Sequence, residues 1–319
     1  MIAVMGAGAF GTALAVALAA SGRDLRLWTR SDEQAKEMQA SRQNVSRLPG
    51  VVLPENVTVL AESAAVSRSE AVLLCVPMQS LSGLLSDVAE IGVAQPVVAC
   101  CKGLDLHSLR GPASLILAAR PEARVAMLTG PSFAADIAQG LPTALTLACD
   151  DSLGIHLQNL LSGPTLRLYR TDDVIGAELG GALKNVIAIA AGVVIGAGLG
   201  QSARAALMTR GYAEMLRVAS HLGARPETLA GLSGLGDLVL TCTSDKSRNF
   251  RYGEALGRKL PFDPNVTVEG VATALAVVRL AARLGLDLPV TKMVDALARD
   301  AISLEDAIQA LMSRPLKQE

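Results

Sequence analysis

The clearest indication of the fold is the sequence Ile2-Ala3-Val4-Met5-Gly6-Ala7-Gly8-Ala9-Phe10-Gly11. Residues 2–5 form a short apolar run that predicts a buried strand, and residues 12–20 favour a helix. Between them the glycines follow the spacing G-x-G-x-x-G. The first permits a tight turn, the second lets the backbone approach a pyrophosphate, and the third lets the helix pack on the strand. We therefore predict a dinucleotide-binding turn, with an ordinary glycine-rich turn as the alternative.

Further apolar runs predict strands at residues 25–28, 71–76, 96–101, 125–129 and 143–148, with helical segments such as 81–91 between them. This alternation, with little polar interruption in each run, is typical of a mostly parallel sheet covered on both faces. The fold class is therefore α/β, an N-terminal Rossmann-type doubly wound sheet. Ligands of such sheets bind beyond the carboxyl ends of the strands, where three turns lie at 77–80, 102–104 and 130–133.

The pattern changes near Gly176, after which helical periodicity dominates and no convincing strand follows. Helices are predicted at 203–222, 271–284 and 291–298. The chain has 319 residues, which is more than a domain with a single hydrophobic core usually contains. We predict two domains, a dinucleotide-binding domain over 1–175 and an all-helical substrate domain over 176–319, with a cleft between them.

Composition excludes several function classes. The net charge is -1 and aromatic residues make up 3% of the chain, which argues against nucleic acid as a partner and leaves small phosphorylated metabolites possible. The five cysteines are odd in number and show no CxxC spacing, so we expect reduced, mostly buried thiols in a cytoplasmic protein. The three histidines are scattered, so no metal site is expected.

Two segments imitate membrane signals. Residues 1–22 resemble a signal peptide, but they lack a basic start and glycines break the apolar run. The run after Lys184 approaches the length of a membrane span, but it contains Asn185, Gln201 and four glycines. A buried central helix fits better, so no membrane insertion is expected; a homodimer is left open.

One ionisable side chain, Lys184, interrupts the otherwise uncharged segment 179–203. A helix this apolar is normally buried, and a buried lysine either loses its proton more readily or finds a charged partner. Both situations suit proton-transfer chemistry. The alternative is that the four-carbon stem carries the ammonium out to water.

Two further patterns suggest ligand contacts. In 234–249 an acid beside two glycines, Asp237, is followed by Arg248 and Asn249, which suit a phosphate and its neighbouring hydroxyl; a simple helix-connecting loop is the alternative. Arg30 follows the second strand, where NAD-selective sites usually carry an acid. Arg30 can pair with a 2′-phosphate, which favours NADP(H), but it can also be a solvated surface charge, and nearby Asp32 weakens the preference.

Together these segments resemble the NAD(P)-dependent sn-glycerol-3-phosphate dehydrogenases of the bacterial type, over nearly the whole chain. The matching pieces are Gly6 to Gly11, Leu48-Pro49-Gly50 with Leu53-Pro54, Cys101-Lys102-Gly103-Leu104, Gly130-Pro131-Ser132-Phe133-Ala134, Gly181 to Val186, Thr209-Arg210-Gly211, Gly236-Asp237-Leu238, Ser247-Arg248-Asn249 and Val268-Glu269-Gly270. The resemblance implies reversible reduction of dihydroxyacetone phosphate to sn-glycerol 3-phosphate with NADH or NADPH, for phospholipid synthesis.

The resemblance also implies residue roles. Lys184 accepts the proton of the C2 hydroxyl in oxidation and donates it in reduction, with Lys102 beside the reacting oxygen and Asp237 as the third catalytic group. Each of the two ammonium groups also favours deprotonation of the other. Substrate contacts are implied for Lys102, Gly130, Ser132, Lys184, Asn185, Asp237, Thr241, Ser247, Arg248 and Asn249. Cofactor contacts are implied for Gly6, Gly8, Ala9, Phe10, Gly11, Arg30, Lys102, Ala134, Arg248 and Glu269.

Some features leave alternatives open. Glu269 also suits a helix N-terminus, where an acid favours the dipole. Ile195 and Ser202 stand where the family usually has Asp and Asn, so fewer hydrogen bonds are expected in that loop. Two rival functions remain: a dehydrogenase of 2-hydroxy or β-hydroxy acids on the same two-domain plan, and a non-catalytic NAD(P)-binding regulator.

Overall fold

The computed structural model describes residues 1–66, 68–89, 91 and 95–312. These residues form ten strands, eight of them in one sheet with the order β10-β9-β8-β7-β6-β1-β2-β5 and two in a small hairpin, β3-β4. The strands are β1 (Ile2–Met5), β2 (Leu25–Trp28), β3 (Gln43–Asn44), β4 (Leu48–Val52), β5 (Val57–Leu60), β6 (Ala71–Leu74), β7 (Val97–Ala99), β8 (Val125–Thr129), β9 (Thr143–Ala148) and β10 (Leu166–Thr171).

Helices cover the sheet and form the C-terminal half of the chain. They are α1 (Ala9–Ala19), α2 (Asp32–Ser41), α3 (Leu81–Asp87), α4 (Pro112–Ala119), α5 (Ala134–Ala138), α6 (Asp151–Leu161), α7 (Val174–Gly196), α8 (Gly200–His221), α9 (Pro226–Ala230), α10 (Asp237–Thr243), α11 (Arg248–Gly257), α12 (Glu269–Leu284), α13 (Pro289–Ala298) and α14 (Leu304–Met312). A short π-helical turn, Leu232–Gly236, leads directly into α10.

The predicted α/β fold is confirmed. All six predicted strands exist, and from β5 through β8 neighbouring strands in the sheet run parallel. Strand β9 runs antiparallel to β8, and β10 lies parallel to β9 at the sheet edge. The sequence missed β5, β10 and the hairpin. Strand order reverses beside β1, which pairs with β2 on one side and β6 on the other, so the turn after β1 opens at the crevice where such sheets bind ligands.

The sheet residues alternate between two buried layers. Val4, Leu73 and Val98 pack with α1 on one face, whereas Met5 and Leu74 belong to the core on the other face. A continuous apolar strand is what a sheet covered on both sides requires. The α/β plan therefore follows from the burial of β1, β6 and β7 on both faces.

A third core surrounds α7 in the helical half, where Val186, Ile187 and Ile189 are almost fully buried. Among the described residues α7 is the one helix long and apolar enough to cross a membrane, yet 89% of its most apolar window is buried inside the protein. The predicted buried central helix is confirmed. Over the described residues after 171 the secondary structure is helical, with no strand.

Glycines allow α7 and α11 to cross at very short range. A Cβ on Gly192 would lie 2.0 Å from the carbonyl oxygen of Phe250, and one on Gly253 would lie 1.9 Å from that of Ile189. Because backbone atoms, and not flexible side-chain ends, occupy the space, no rotamer change relieves the contact. This crossing places the N-terminus of α11 against the middle of α7, where Lys184 and Asn185 lie.

We expect Gly253→Ala to destabilise the protein by roughly 3 kcal/mol, the upper end of typical overpacking penalties, because the added methyl group overlaps the Ile189 carbonyl. Urea unfolding of the purified variant measures this change. The matched control is Gly83→Ala in α3, where a Cβ meets nothing within 4 Å. That change should stabilise by about 0.5 to 1 kcal/mol through helix propensity. Equal stability of the two variants would contradict the close crossing.

Candidate active site

The glycine-rich turn between β1 and α1 has the shape that a pyrophosphate needs. Gly6 has φ +117°, and a Cβ there would lie 2.7 Å from the carbonyl oxygen of Cys75. A Cβ on Gly11 would lie 2.1 Å from the Gly6 carbonyl oxygen, whereas Gly8 faces open space. The first and third glycines thus pack strand and helix together, and the second leaves the approach to α1 free. These residues fit a dinucleotide.

The turns after β6, β7 and β8 meet at the carboxyl edge of the sheet. Lys102, which follows β7, donates a hydrogen bond of 3.2 Å from Nζ to the carbonyl oxygen of Gly130, which follows β8. The same oxygen accepts a 3.2 Å hydrogen bond from the Ser132 hydroxyl. From the turn after β6, the Met78 amide donates to Glu269 Oε1 at 3.3 Å, which joins the sheet edge to α12.

The central feature of this region is a carboxylate held between two ammonium groups. Asp237 Oδ2 lies 2.6 Å from Lys102 Nζ, and Asp237 Oδ1 lies 3.0 Å from Lys184 Nζ. Lys184 Nζ also donates to the Thr241 hydroxyl oxygen at 2.8 Å, and that hydroxyl lies 3.1 Å from Asp237 Oδ1. Only 9% of the Lys184 side chain is exposed. The alternative in which Lys184 reaches out to water is therefore wrong.

The local backbone structure places the Asp237 and Thr241 side chains next to Lys184. Asp237 and Thr241 lie one turn apart on α10, so both face α7. A Cβ on Gly180 would lie 2.5 Å from the Ser233 carbonyl oxygen, so α7 approaches the π-helical turn before α10 at backbone distance. A π-helical turn is uncommon and often marks a functional site. Residues 234–241 are thus helical and carry the carboxylate, so the alternative of a simple helix-connecting loop does not describe this part of the segment.

Burial and charge set the protonation of the cluster. Burial lowers the pKa of Lys184 to about 8, with the nearby Lys102 charge acting in the same direction and Asp237 opposing it. Burial alone would raise the pKa of the Asp237 carboxyl, but the charges of Lys102 and Lys184 outweigh it and hold that pKa below its usual value. Asp237 is therefore ionised, and Lys184 is able to gain or lose a proton near neutral pH.

A polar group borders this cluster at Asn185, the residue that follows Lys184 on α7. The Asn249 amide donates to Asn185 Oδ1 at 2.9 Å, and Asn249 Oδ1 accepts from the Gly270 amide at 3.0 Å. Ser247 caps α11 by accepting a 3.2 Å hydrogen bond from the Phe250 amide. Arg248, the first residue of α11, is exposed. An exposed guanidinium beside free helix amides can receive a phosphate.

The remaining predicted cofactor residues lie around the sheet edge. Ala9, Phe10 and Ala134 are half-buried at the starts of α1 and α5, and Arg30 is exposed beyond β2. Glu269 begins α12, and burial raises the pKa of its carboxyl. The position of Glu269 suits a helix N-terminal acid, and the charges of Arg248 and Lys102 also act on its carboxyl.

Other sequence expectations have clear outcomes. Four of the five cysteines are buried and Cys75 is half-buried, as expected. Ile195 packs into the helical core from the last turn of α7, and Ser202 is exposed on α8. Within the described ranges, no group of three or more His, Cys, Asp or Glu side chains is placed to hold a metal ion.

Asn44, a buried polar residue that the sequence did not single out, contacts the glycine-rich turn.

Comparison with known proteins agrees with this geometry. Residues 1–153 match the N-terminal family, and residues 173–309 the C-terminal family, of NAD-dependent glycerol-3-phosphate dehydrogenase. Proteins named glycerol-3-phosphate dehydrogenase (NAD(P)+) are 62% identical in Cereibacter sphaeroides, covering 100% of both chains, and 57% identical in Paracoccus denitrificans, covering 100% of this chain and 99% of the relative. The crystal structure of glycerol-3-phosphate dehydrogenase from Coxiella burnetii superposes with a TM-score of 0.93 at 36% identity and covers 98% of each chain. The chain belongs to the NAD-dependent glycerol-3-phosphate dehydrogenase family.

Proposed function

We propose that this protein catalyses the reversible NAD(P)H-dependent reduction of dihydroxyacetone phosphate to sn-glycerol 3-phosphate, which supplies the backbone for glycerophospholipid synthesis. The observation that carries the proposal is the buried Lys184 ammonium, held by Asp237 opposite Lys102 at the carboxyl edge of a dinucleotide-type sheet. The enzyme is an oxidoreductase that acts on a CH–OH group.

When bound, the nicotinamide supplies the hydride for substrate C2. Lys184 protonates the developing C2 oxygen in reduction and removes the hydroxyl proton in oxidation. Asp237 and Thr241 orient the Lys184 amine through the 3.0 and 2.8 Å hydrogen bonds. Lys102, held on the Gly130 carbonyl, adds positive charge where the oxygen becomes negative.

The start of α11 is proposed to hold the phosphate end of the substrate. Arg248 offers a charged fork there and the Ser247-capped helix start offers backbone amides, while Asn249 is fixed on Asn185. Because Asn185 follows Lys184 directly, neighbouring residues of α7 contact the phosphate-binding segment and carry the proton-transfer amine. Gly130 and Ser132 line the opposite side of the cleft in this proposal.

The cofactor contacts proposed are the glycine-rich turn with Ala9 and Phe10, together with Lys102, Ala134, Arg248 and Glu269. Arg30 stands exposed where an NAD-selective site usually carries an acid, which supports a preference for NADPH. The five cysteines, none of them in a disulfide, and the buried position of α7 support a cytoplasmic location. The division into domains 1–175 and 176–319 is part of this proposal, and light scattering will decide whether the protein forms a homodimer.

The two reaction directions should show opposite pH dependence. Oxidation of sn-glycerol 3-phosphate needs neutral Lys184, so its kcat should rise with pH through an apparent pKa near 8, the value to which burial lowers this amine. Reduction needs the protonated form, so its kcat should fall above the same pH. Steady-state profiles between about pH 6 and 10 measure both limbs. Limbs of the same sign in both directions would exclude Lys184 as the titrating group.

The direct test of function is an assay of purified protein with dihydroxyacetone phosphate and either NADH or NADPH. We expect turnover with both cofactors and a lower KM for NADPH. Parallel assays with 2-hydroxy and β-hydroxy acids test the related dehydrogenase, because Arg248 also suits a carboxylate. Activity confined to those acids would replace the proposed substrate. Cofactor binding with no turnover of dihydroxyacetone phosphate would instead support the non-catalytic regulator.

A further inference from the structure

We propose that Asn44 is a positioning residue for the dinucleotide, whose buried side-chain amide fixes the orientation of the glycine-rich turn. Asn44 ends β3, outside the segments that carry the cluster around Lys184. The proposal rests on the proposed function, because cofactor binding at residues 6–11 is part of that function.

The Asn44 side chain uses both amide hydrogens on the turn and its helix. The residue is 1% exposed, and Nδ2 donates to the Ala7 carbonyl oxygen at 2.9 Å and to the Thr12 hydroxyl oxygen at 2.8 Å. Ala7 belongs to the turn and Thr12 to the first part of α1. One side chain therefore joins the turn to the helix whose free amides receive the pyrophosphate.

Peptide geometry transmits this contact to the ligand side. The Ala7 carbonyl and the Gly8 amide belong to one planar trans peptide, so their C=O and N–H bonds point in opposite directions. Holding the carbonyl on Asn44 therefore fixes the direction of the Gly8 N–H. A Cβ on Gly8 would meet nothing within 4 Å, so side-chain packing does not restrain the turn on that side. The amide of Asn44 supplies the restraint that packing lacks.

The hairpin that carries Asn44 is itself fixed. Arg42 adopts φ +54°, and its guanidinium donates to the Val57 carbonyl oxygen at 2.9 Å and to the Pro54 carbonyl oxygen. The Leu53 amide returns a 2.8 Å hydrogen bond to the Arg42 carbonyl oxygen. These bonds do not involve the glycine-rich turn, so the hairpin holds Asn44 in place before any ligand arrives. Such preorganisation reduces the entropic cost of binding.

The test is Asn44→Ala, with NADPH binding measured by calorimetry alongside steady-state rates. We expect the Kd and KM for NADPH to rise about tenfold, equivalent to ~1.4 kcal/mol. The kcat at saturating NADPH should stay near the parental value, because the lost interaction is made equally in the ground and transition states. The KM for dihydroxyacetone phosphate should not change.

Asn56→Ala is the matched control. Asn56 Nδ2 also donates two hydrogen bonds to main-chain acceptors, the Ala19 carbonyl at 2.9 Å and the Arg23 carbonyl at 2.7 Å. These lie at the far end of α1, away from the turn. Both variants should lower the melting temperature of the ligand-free protein, but only Asn44→Ala should weaken NADPH binding. A purely structural role for Asn44 would give the two variants the same binding.

Thr12→Val keeps the test decisive if Asn44→Ala does not fold. Valine matches the shape of threonine and removes only the hydroxyl that accepts from Asn44. We expect a smaller rise in the NADPH Kd, about threefold to fivefold, as for one hydrogen bond. Parental binding in the folded variants, or equal weakening by Asn56→Ala, overturns the role of Asn44. A parental protein that does not bind NADPH at all would instead overturn the proposed function, so the two failures are distinguishable.

Discussion

Replacing Lys184 with methionine is expected to lower kcat in both directions by on the order of 10² to 10⁴-fold, the usual contribution of a positioned acid or base. Methionine fills the apolar space of α7 but carries no exchangeable proton. Asp237 retains Lys102 at 2.6 Å, so the carboxylate keeps a counter-ion and the fold should survive. Stopped-flow measurement of NADPH oxidation with dihydroxyacetone phosphate gives the rate.

Two controls separate loss of the proton carrier from general damage. Lys292→Met removes a half-exposed lysine that pairs with Asp287 on the surface, and it should leave kcat unchanged. Calorimetric binding of NADPH to Lys184→Met should also match the parent. A folded Lys184→Met protein that turns over at the parental rate would show that another group carries the proton.

Asp237→Asn is expected to reduce kcat roughly 100-fold, because a displaced acid-base group loses most of its effect. Asparagine preserves shape but removes the charge that lies between Lys102 and Lys184. Two ammonium groups then face each other in a buried region, so the pKa of Lys184 should fall further below about 8. The limb of the oxidation pH profile should move to lower pH.

A shift of the oxidation pH profile distinguishes a role of Asp237 in positioning Lys184 from a role in stabilising the fold. Breaking a buried ion pair costs about 3 to 5 kcal/mol when one charge stays unpaired, so Asp237→Asn should also lower the denaturant midpoint. Asp295→Asn serves as the control, because Asp295 pairs with Arg299 within α13 and its C-terminal turn, in a different part of the helical half. A shifted midpoint without any movement of the pH limb would reduce Asp237 to a structural residue.

The sequence predicted the sheet where strands are buried on both faces. β1, β6 and β8 are continuous apolar runs, and such runs are visible without tertiary information. Strand β10 escaped prediction because it lies at the sheet edge and alternates buried and exposed residues. The hairpin β3-β4 escaped prediction because β3 consists of two polar residues and the short strand β4 contains proline and glycine.

The candidate site was predictable where an unusual residue type marked it. Lys184 stood out as a charge in an apolar helix, and the glycine spacing marked the turn. The distances among Lys102, Lys184 and Asp237 were not predictable, because they depend on how α7 and α10 cross. Asn44 gave no signal at all, since a single asparagine near a loop is ordinary and its burial exists only in the folded protein.

Chemical rescue shows whether a single amine at position 184 moves the proton. Lys184→Ala removes the amine and leaves a cavity beside Asp237 and Thr241, into which a small alkylammonium ion can enter. We expect methylamine or ethylamine to restore the reduction rate of Lys184→Ala in a saturable manner, while the parental rate does not respond. If Lys184→Ala binds its substrates normally but its reduction rate does not depend on amine concentration, the amine of Lys184 is not the proton carrier.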